Sequence, residues 1–315
     1  MKTRKKRYGS IIALIVLVTL LVGLPAVLAS ESYSLIFVAN ILMYVVLTVS
    51  WAIFSGPTGY ISLATAAFFG VGVYSTALFS ADLPLPVVVF IGGLASFCLA
   101  YLVGSVTLRL KGMYFTMFTF GLVELIRNAV HWWEVNITGT VGRMVITPES
   151  ITIYYSMVCI FLAVLLTSFL IKHSRFGLAL QGIGESEDAA AHTGINVTRV
   201  KTATFAVSAF FMGLTGAVMS LRWSYIDPTM AFDVSRSFMP VLMAIFGGMG
   251  HLYAPIAGAS IFSILEEIFT TKFPYYYMFL FGLTMLLVIR FMPLGMEGVI
   301  EKLRRRKKPE IAERT

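Results

Sequence analysis

The chain has 315 residues, 58% of them hydrophobic and only 13% charged, against roughly 25% charged in a soluble domain. Such a composition cannot keep an aqueous surface wet, which excludes a soluble enzyme or a free-standing nucleotide-binding domain. The formal net charge of +8 does not indicate nucleic acid: the basic residues gather at Lys2, Arg4, Lys5, Lys6 and Arg7 and again from Lys302 to Lys308, where they act as topology signals and headgroup contacts.

A membrane-spanning helix needs about 20 apolar residues. Apolar segments run over 11–29, 33–54, 64–81, 85–108, 113–130, 151–171, 202–221, 237–248, 255–269 and 274–292. The pattern predicts an all-α, polytopic transmembrane helix bundle of about ten spans. A basic tail over 1–10, a transmembrane domain over 11–292 with a polar connection at 172–201, and a basic tail over 293–315 make up the chain. With the N-terminus inside, nineteen of the 24 Lys and Arg residues fall on the inner side, and Arg127, Arg143, Arg222, Arg236 and Lys272 fall outside. That asymmetry places both tails in the cytoplasm of a multi-pass protein of the cell membrane. The first segment has a second reading: a basic start followed by Val27-Leu28-Ala29 also resembles a cleaved signal peptide. Cleavage would leave nine spans with every later orientation unchanged, while the length of the run favours a retained helix.

Two segments are interrupted in a similar way. The first reads Gly56-Pro57-Thr58-Gly59-Tyr60-Ile61-Ser62 with Thr65, Gly70 and Gly72 beyond, and the second reads Gly247-Gly248-Met249-Gly250-His251 with Pro255 and Gly258 beyond. Non-helical backbone at membrane depth persists only where protein or a water-filled cavity satisfies it, and paired interruptions point to a transport pathway. Close packing of helices through small residues is the competing explanation. The pathway candidates are Gly56, Gly59, Ser62, Thr65, Gly70, Gly247, Gly248 and Gly250.

Residues 172–201 form the longest polar connection between spans. Within it, Glu185-Ser186-Glu187-Asp188-Ala189-Ala190-Ala191 reads as a short helix with acidic groups near its N-terminal end and Gly194 as its C-terminal stop. Such an amphipathic helix lying along the membrane suits a groove on a partner protein; a plain connecting loop would be equally polar. Asp188-Ala189-Ala190, followed after three residues by Gly194, resembles the Glu-Ala-Ala…Gly motif of ABC-importer permeases, with Asp in place of the usual Glu.

The resemblance extends over most of the chain. Gly56 to Tyr74, Leu108 to Phe115, Glu124-Leu125-Ile126-Arg127, Thr138-Gly139, Ser174-Arg175-Phe176-Gly177, the loop to Asn196, and Gly247 to Ala259 are together similar to the permeases of branched-chain amino acid ABC importers, LivM type. The resemblance implies an importer subunit working with a second homologous permease of LivH type, two ATP-binding subunits and an extracytoplasmic substrate-binding protein. It makes Glu185, Glu187, Asp188, Ala189, Ala190 and Gly194 the ATPase-coupling element, and leucine, isoleucine and valine the expected substrates. The chain departs from the family pattern at Thr65, where a His is common, at Gly182 and Gly184, where basic residues are expected, and at Thr140. Related permeases import urea, short amides or other amino acids.

The remaining polar residues carry less. Glu124 and Arg127, three apart on one helix face, are placed to form an intramembrane ion pair. Glu266 and Glu267 fall near an interface. Asp227, Asp233 and Arg236 fall on an outer loop, either solvated or free to meet a binding protein. Cys98 and Cys159 read as small buried thiols, and the four histidines have no metal-ligand spacing. No Gly-x-x-x-x-Gly-Lys-Ser/Thr is present, so no cofactor is expected and ATP hydrolysis falls to partner subunits. A stand-alone secondary transporter or channel would share the interruptions without needing the coupling loop. A membrane-embedded enzyme lacks any nucleophile–base pair or metal cluster in the sequence.

Overall fold

A computed structural model describes residues 32–249 and 253–276, with 23, 25, 279, 282–284, 286 and 290. The basic tails and most of the first and last expected spans lie outside the described residues, as does Gly250. The helices are α1 (Ser32–Thr58), α2 (Thr65–Phe79), α3 (Leu85–Thr107), α4 (Met113–Trp133), α5 (Ser150–His173), α6 (Arg175–Glu185), α7 (Glu187–His192), α8 (Val197–Met219), α9 (Pro228–Ala231), α10 (Ser235–Gly247) and α11 (Tyr253–Lys272). The eight apolar segments between 33 and 269 each coincide with a helix. Five stretches are long and apolar enough to cross a membrane by length and composition: Tyr33–Thr58, Leu85–Thr107, Ser150–His173, Val197–Arg222 and Pro228–Gly247. At 1.5 Å per residue, the 27 residues of α1 extend about 40 Å, more than the roughly 30 Å of bilayer hydrocarbon.

The core is the contact of α1, α2, α3 and α8. Helix α8 is the most enclosed: 89% of its most apolar stretch is buried inside the bundle. It can pack this closely because glycines remove the side chains at the crossings. A Cβ at Gly72 of α2 would stand 2.0 Å from the Gly213 carbonyl oxygen, and one at Gly216 of α8 would stand 2.0 Å from that of Phe69. Helices in lipid associate through such close backbone approach rather than through exclusion of water. Here the small-residue explanation accounts for Gly72. Phe54, Phe68, Phe115 and Phe205 interlock beside that crossing, with ring centroids 5.0–6.0 Å apart.

Several local expectations change. The polar connection holds two helices rather than one, because Ser174 caps α6 by accepting from the Gly177 N–H (3.3 Å) and Ser186 caps α7 by accepting from the Ala189 N–H (3.3 Å). Helix α7 therefore begins at Glu187, and Glu185 closes the preceding helix. Cys98 and Cys159 are exposed on the outer faces of their helices rather than buried: the helices that carry them are apolar on all sides, so sequence alone does not tell the lipid face from the core face. Among the described residues, otherwise helical, there is one two-stranded antiparallel ribbon, Arg143–Met144 paired with Tyr225–Ile226. The ribbon lies beside a π-helical turn over Glu134–Thr138. There the fully buried Glu134 accepts from the Tyr74 hydroxyl (3.3 Å) and from the Gly142 N–H (3.0 Å).

Candidate functional site

The break between α1 and α2 is irregular over residues 59–64, yet its polar backbone is not left bare. Pro57 withholds an N–H from the last turn of α1, and Gly59 turns the chain with φ +72°. Trp51 Nε1 then donates to the Ser62 carbonyl (2.8 Å), and the Thr116 hydroxyl donates to the Ile61 carbonyl (2.8 Å). Thr119 Oγ1 accepts from the Leu63 N–H (3.0 Å), Ser62 Oγ from Ala64 N–H (3.3 Å) and Ser237 Oγ from Ala66 N–H (3.1 Å). The connector is thus held by side chains of α1, α4 and α10, as irregular backbone away from water requires.

A cavity of about 430 Å³ opens against this break, within the 300–1,000 Å³ range of small-molecule sites. Gly56, Pro57 and Gly59 line one wall, Met249 and Pro255 of the second interruption another, and Gln181 and Glu185 of α6 a third. Val49 and Ile53 give the cavity an apolar side, while Ser168 and Lys172 add polar groups. The two interruptions, far apart in sequence, face one space.

The expected pathway residues separate by environment. Gly56 and Gly59 line the cavity, and nothing stands within 4 Å of a Cβ built on either. Ser62 and Thr65 are buried. A Cβ at Gly70 would lie 2.3 Å from the Phe232 ring, and one at Gly247 would lie 2.1 Å from the Ala254 carbonyl oxygen, so both sit at tight packing contacts. Gly248 turns the chain out of α10 at φ +99°, next to the lining residue Met249.

The coupling candidates lie beside the same cavity. On α7, Asp188, Ala189 and Ala191 are exposed while Ala190 is buried, and Gly194 ends the helix at φ +87°. Glu187 points inward and meets two residues that the sequence did not single out. Its Oε1 accepts from Lys201 Nζ (2.7 Å) and from the Tyr60 hydroxyl (2.7 Å). Lys201 Nζ also donates to the Tyr60 oxygen (3.3 Å) and lies 4.4 Å from the centre of its ring. Burial pushes the Glu187 carboxyl up, but the hydrogen bonds from Lys201 and Tyr60 and the charges of Lys201 and Lys111 outweigh it and hold the group below the ordinary glutamate range. Lys201 is 2% exposed. A lysine at the junction of the polar connection and an apolar helix was the available signal, masked by its use as a topology marker.

Glu124 and Arg127 form an ion pair on α4, with each side chain about one-third exposed. The outer-loop charges are engaged locally. Asp227 caps α9 by accepting from the Met230 N–H (2.8 Å), Asp233 accepts from the Ser235 N–H (2.9 Å), and Arg236 lies 4.9 Å from the ring centres of both Phe69 and Trp223. Glu266 and Glu267 accept from Tyr44 (3.0 Å) and Tyr33 (2.8 Å), tying α11 to α1. Among the described residues no His, Cys, Asp and Glu group could hold a metal ion.

A bundle of apolar helices, with broken segments converging on a cavity, defines a multi-pass membrane transport protein. The chain belongs to the family described as branched-chain amino acid transport system / permease component, whose family model matches residues 33–289. It is 25% identical over 296 residues, covering 81% of this chain and 68% of the relative, to the high-affinity branched-chain amino acid transport system permease protein LivM of Salmonella typhimurium. It is 28% identical over 161 residues to LivH of Escherichia coli, half of this chain and 52% of the relative. It is 27% identical over 103 residues to the ribose import permease protein RbsC of Haemophilus influenzae, 31% of this chain and 32% of the relative. No solved structure matches the chain significantly.

Proposed function

We propose that the chain is the membrane-spanning subunit of an ATP-driven ABC importer for branched-chain amino acids. In this reading it pairs with a second, LivH-type permease, two ATP-binding subunits and an extracytoplasmic binding protein in the inner membrane. The observation that carries it is the convergence of both interruptions on one cavity with the coupling element as its neighbour. Glu185 belongs to the cavity wall and closes α6, and α7 follows one residue later. An ATPase subunit that grips the exposed Asp188 and Ala189 acts directly beside the proposed pathway. That puts α6 and α7 on the cytoplasmic side and makes the cavity the inner vestibule of the pathway.

The lining also suits the substrate class. Val49, Ile53 and Met249 offer an apolar side to a branched side chain, while Lys172, Glu185, Ser168 and Gln181 offer charges and hydrogen bonds to an amino acid's zwitterionic end. The test is ligand stimulation of ATPase activity in the assembled complex with its binding protein. Leucine, isoleucine and valine are expected to stimulate; stimulation by ribose, urea or acetamide with none by leucine would reject this substrate class.

A further inference from the structure

The α6–α7 segment touches the end of α1 at one point and the connector that follows it at another, and each contact is of a kind that transmits displacement. The first is steric. Gly184 of α6 lies against the Pro57 carbonyl so closely that a Cβ there would be 2.0 Å from its oxygen; backbone meets backbone, with no flexible side chain between to absorb movement. The second is ionic, the contact of Glu187 with Lys201 and Tyr60. The points lie three residues apart on the α6–α7 segment, at 184 and 187, and three apart across the end of α1 and the connector, at 57 and 60. Two separated contacts couple the elements along a line, whereas one would leave a free pivot.

Stability alone does not account for the ionic contact. A buried charge pair is commonly replaced by apolar residues without loss of stability, so a pair whose lysine is 2% exposed and whose glutamate is 20% exposed points to a role in positioning. The burial pattern of α7 agrees: Glu187 and Ala190, three residues apart on one helix face, turn toward the bundle, and Asp188, Ala189 and Ala191 remain exposed. The exposed face is free for an ATPase subunit while the opposite face grips the connector.

Resting on the ATP-driven permease reading, we propose that the Gly184–Pro57 and Glu187–Tyr60–Lys201 contacts form a latch that transmits movement of α7 to the cavity wall at Gly56–Gly59. Tyr60, Glu187 and Lys201 are positioning residues: they touch the moving elements and not the substrate. Pushing α7 shifts Tyr60 and Pro57 together, and with them the glycines that face the cavity.

The test compares three forms of the reconstituted transporter. The double variant Glu187→Gln/Lys201→Met removes both charges and leaves no unpaired buried ion. It is expected to hydrolyse about fivefold or more ATP per substrate imported, the lower end of a typical coupling between sites. The exchange variant Glu187→Lys/Lys201→Glu is expected to restore wild-type stoichiometry. Wild-type stoichiometry in the double variant, or no rescue by the exchange, overturns the latch. Tyr60→Phe, which removes one hydroxyl and no charge, is expected to move in the same direction by less; if the double variant does not assemble, normal coupling in Tyr60→Phe overturns the latch.

Hydrogen exchange in the chain alone separates this inference from the functional reading. Exchange at Leu63, Ala64 and Ala66 is expected to quicken in the double variant whether or not the wild-type complex imports anything, and unchanged exchange overturns the latch. A wild-type complex that imports nothing with ATP defeats the functional reading and leaves the latch standing on the exchange result.

Discussion

Gly182 and Gly184 lie on the same short helix, and the structure gives them opposite responses to one added methyl group. Nothing stands within 4 Å of a Cβ at Gly182, whereas one at Gly184 would be 2.0 Å from the Pro57 carbonyl oxygen and 3.1 Å from its carbon. Ordinary contact begins at 3.4 Å, so Gly184→Ala requires α6 and the end of α1 to separate by about 1.4 Å, the shortfall between 3.4 and 2.0 Å. Alanine gains about 1 kcal/mol over glycine in a helix, and overpacking costs about 1–3 kcal/mol, with the upper end apt for an obstacle that is backbone. Gly182→Ala is therefore expected to stabilise the detergent-solubilised chain by up to about 1 kcal/mol, and Gly184→Ala to destabilise it by about 2 kcal/mol. Chemical denaturation of the two variants side by side measures both. Shifts of the same sign, or a neutral Gly184→Ala, would refute the close approach of α6 to the end of α1.

Other outcomes follow from neighbouring features. Gly56→Leu places a side chain into the cavity with nothing to displace, so uptake should fall about tenfold or more while basal ATPase activity is retained; unchanged uptake would remove Gly56 from the pathway. Asp188→Lys, on the exposed face of α7, should abolish substrate-stimulated ATPase activity without altering the stability of the permease, and full stimulation would deny the docking role. Ser237→Ala orphans the buried Ala66 N–H and should cost about 1–3 kcal/mol, read by the same denaturation. Glu187 titrates below the ordinary glutamate value of 4.5 in the folded chain. Its contribution to stability is thus present above that value and lost as pH falls through its depressed native one. Exchange at the α7 amides, corrected for intrinsic rates, should accelerate only below about pH 4.5; acceleration between pH 5 and 7 would contradict the ion contact.

The helices were legible in the sequence because lipid demands long apolar runs, and the breaks near Pro57 and Gly248 were marked by proline and glycine. Which face of each helix turns inward was not legible: α3 and α5 are apolar all round, so Cys98 and Cys159 carried no mark of their exposure. The two interruptions announced themselves through glycine and proline, but glycine that lines a cavity and glycine that admits a neighbour look alike in a sequence. Gly56 faces open space and Gly70 faces the Phe232 ring; only the fold tells them apart. Lys201 was visible as a charge at the start of a span and was read as a topology marker, because its partners Glu187 and Tyr60 come from two other elements. The 143–144 and 225–226 ribbon escaped notice because two residues per strand leave no periodic signal. Ser174 and Ser186 each cap a helix, a pattern that a closer reading of the polar loop could have found.

The most direct test is uptake of labelled leucine into proteoliposomes holding this chain with its permease and ATPase partners and the binding protein supplied outside. Leucine should accumulate only when ATP is present on the α6–α7 side, and collapsing the proton and sodium gradients should leave the rate unchanged. Accumulation driven by an ion gradient in liposomes holding this chain alone would contradict the account.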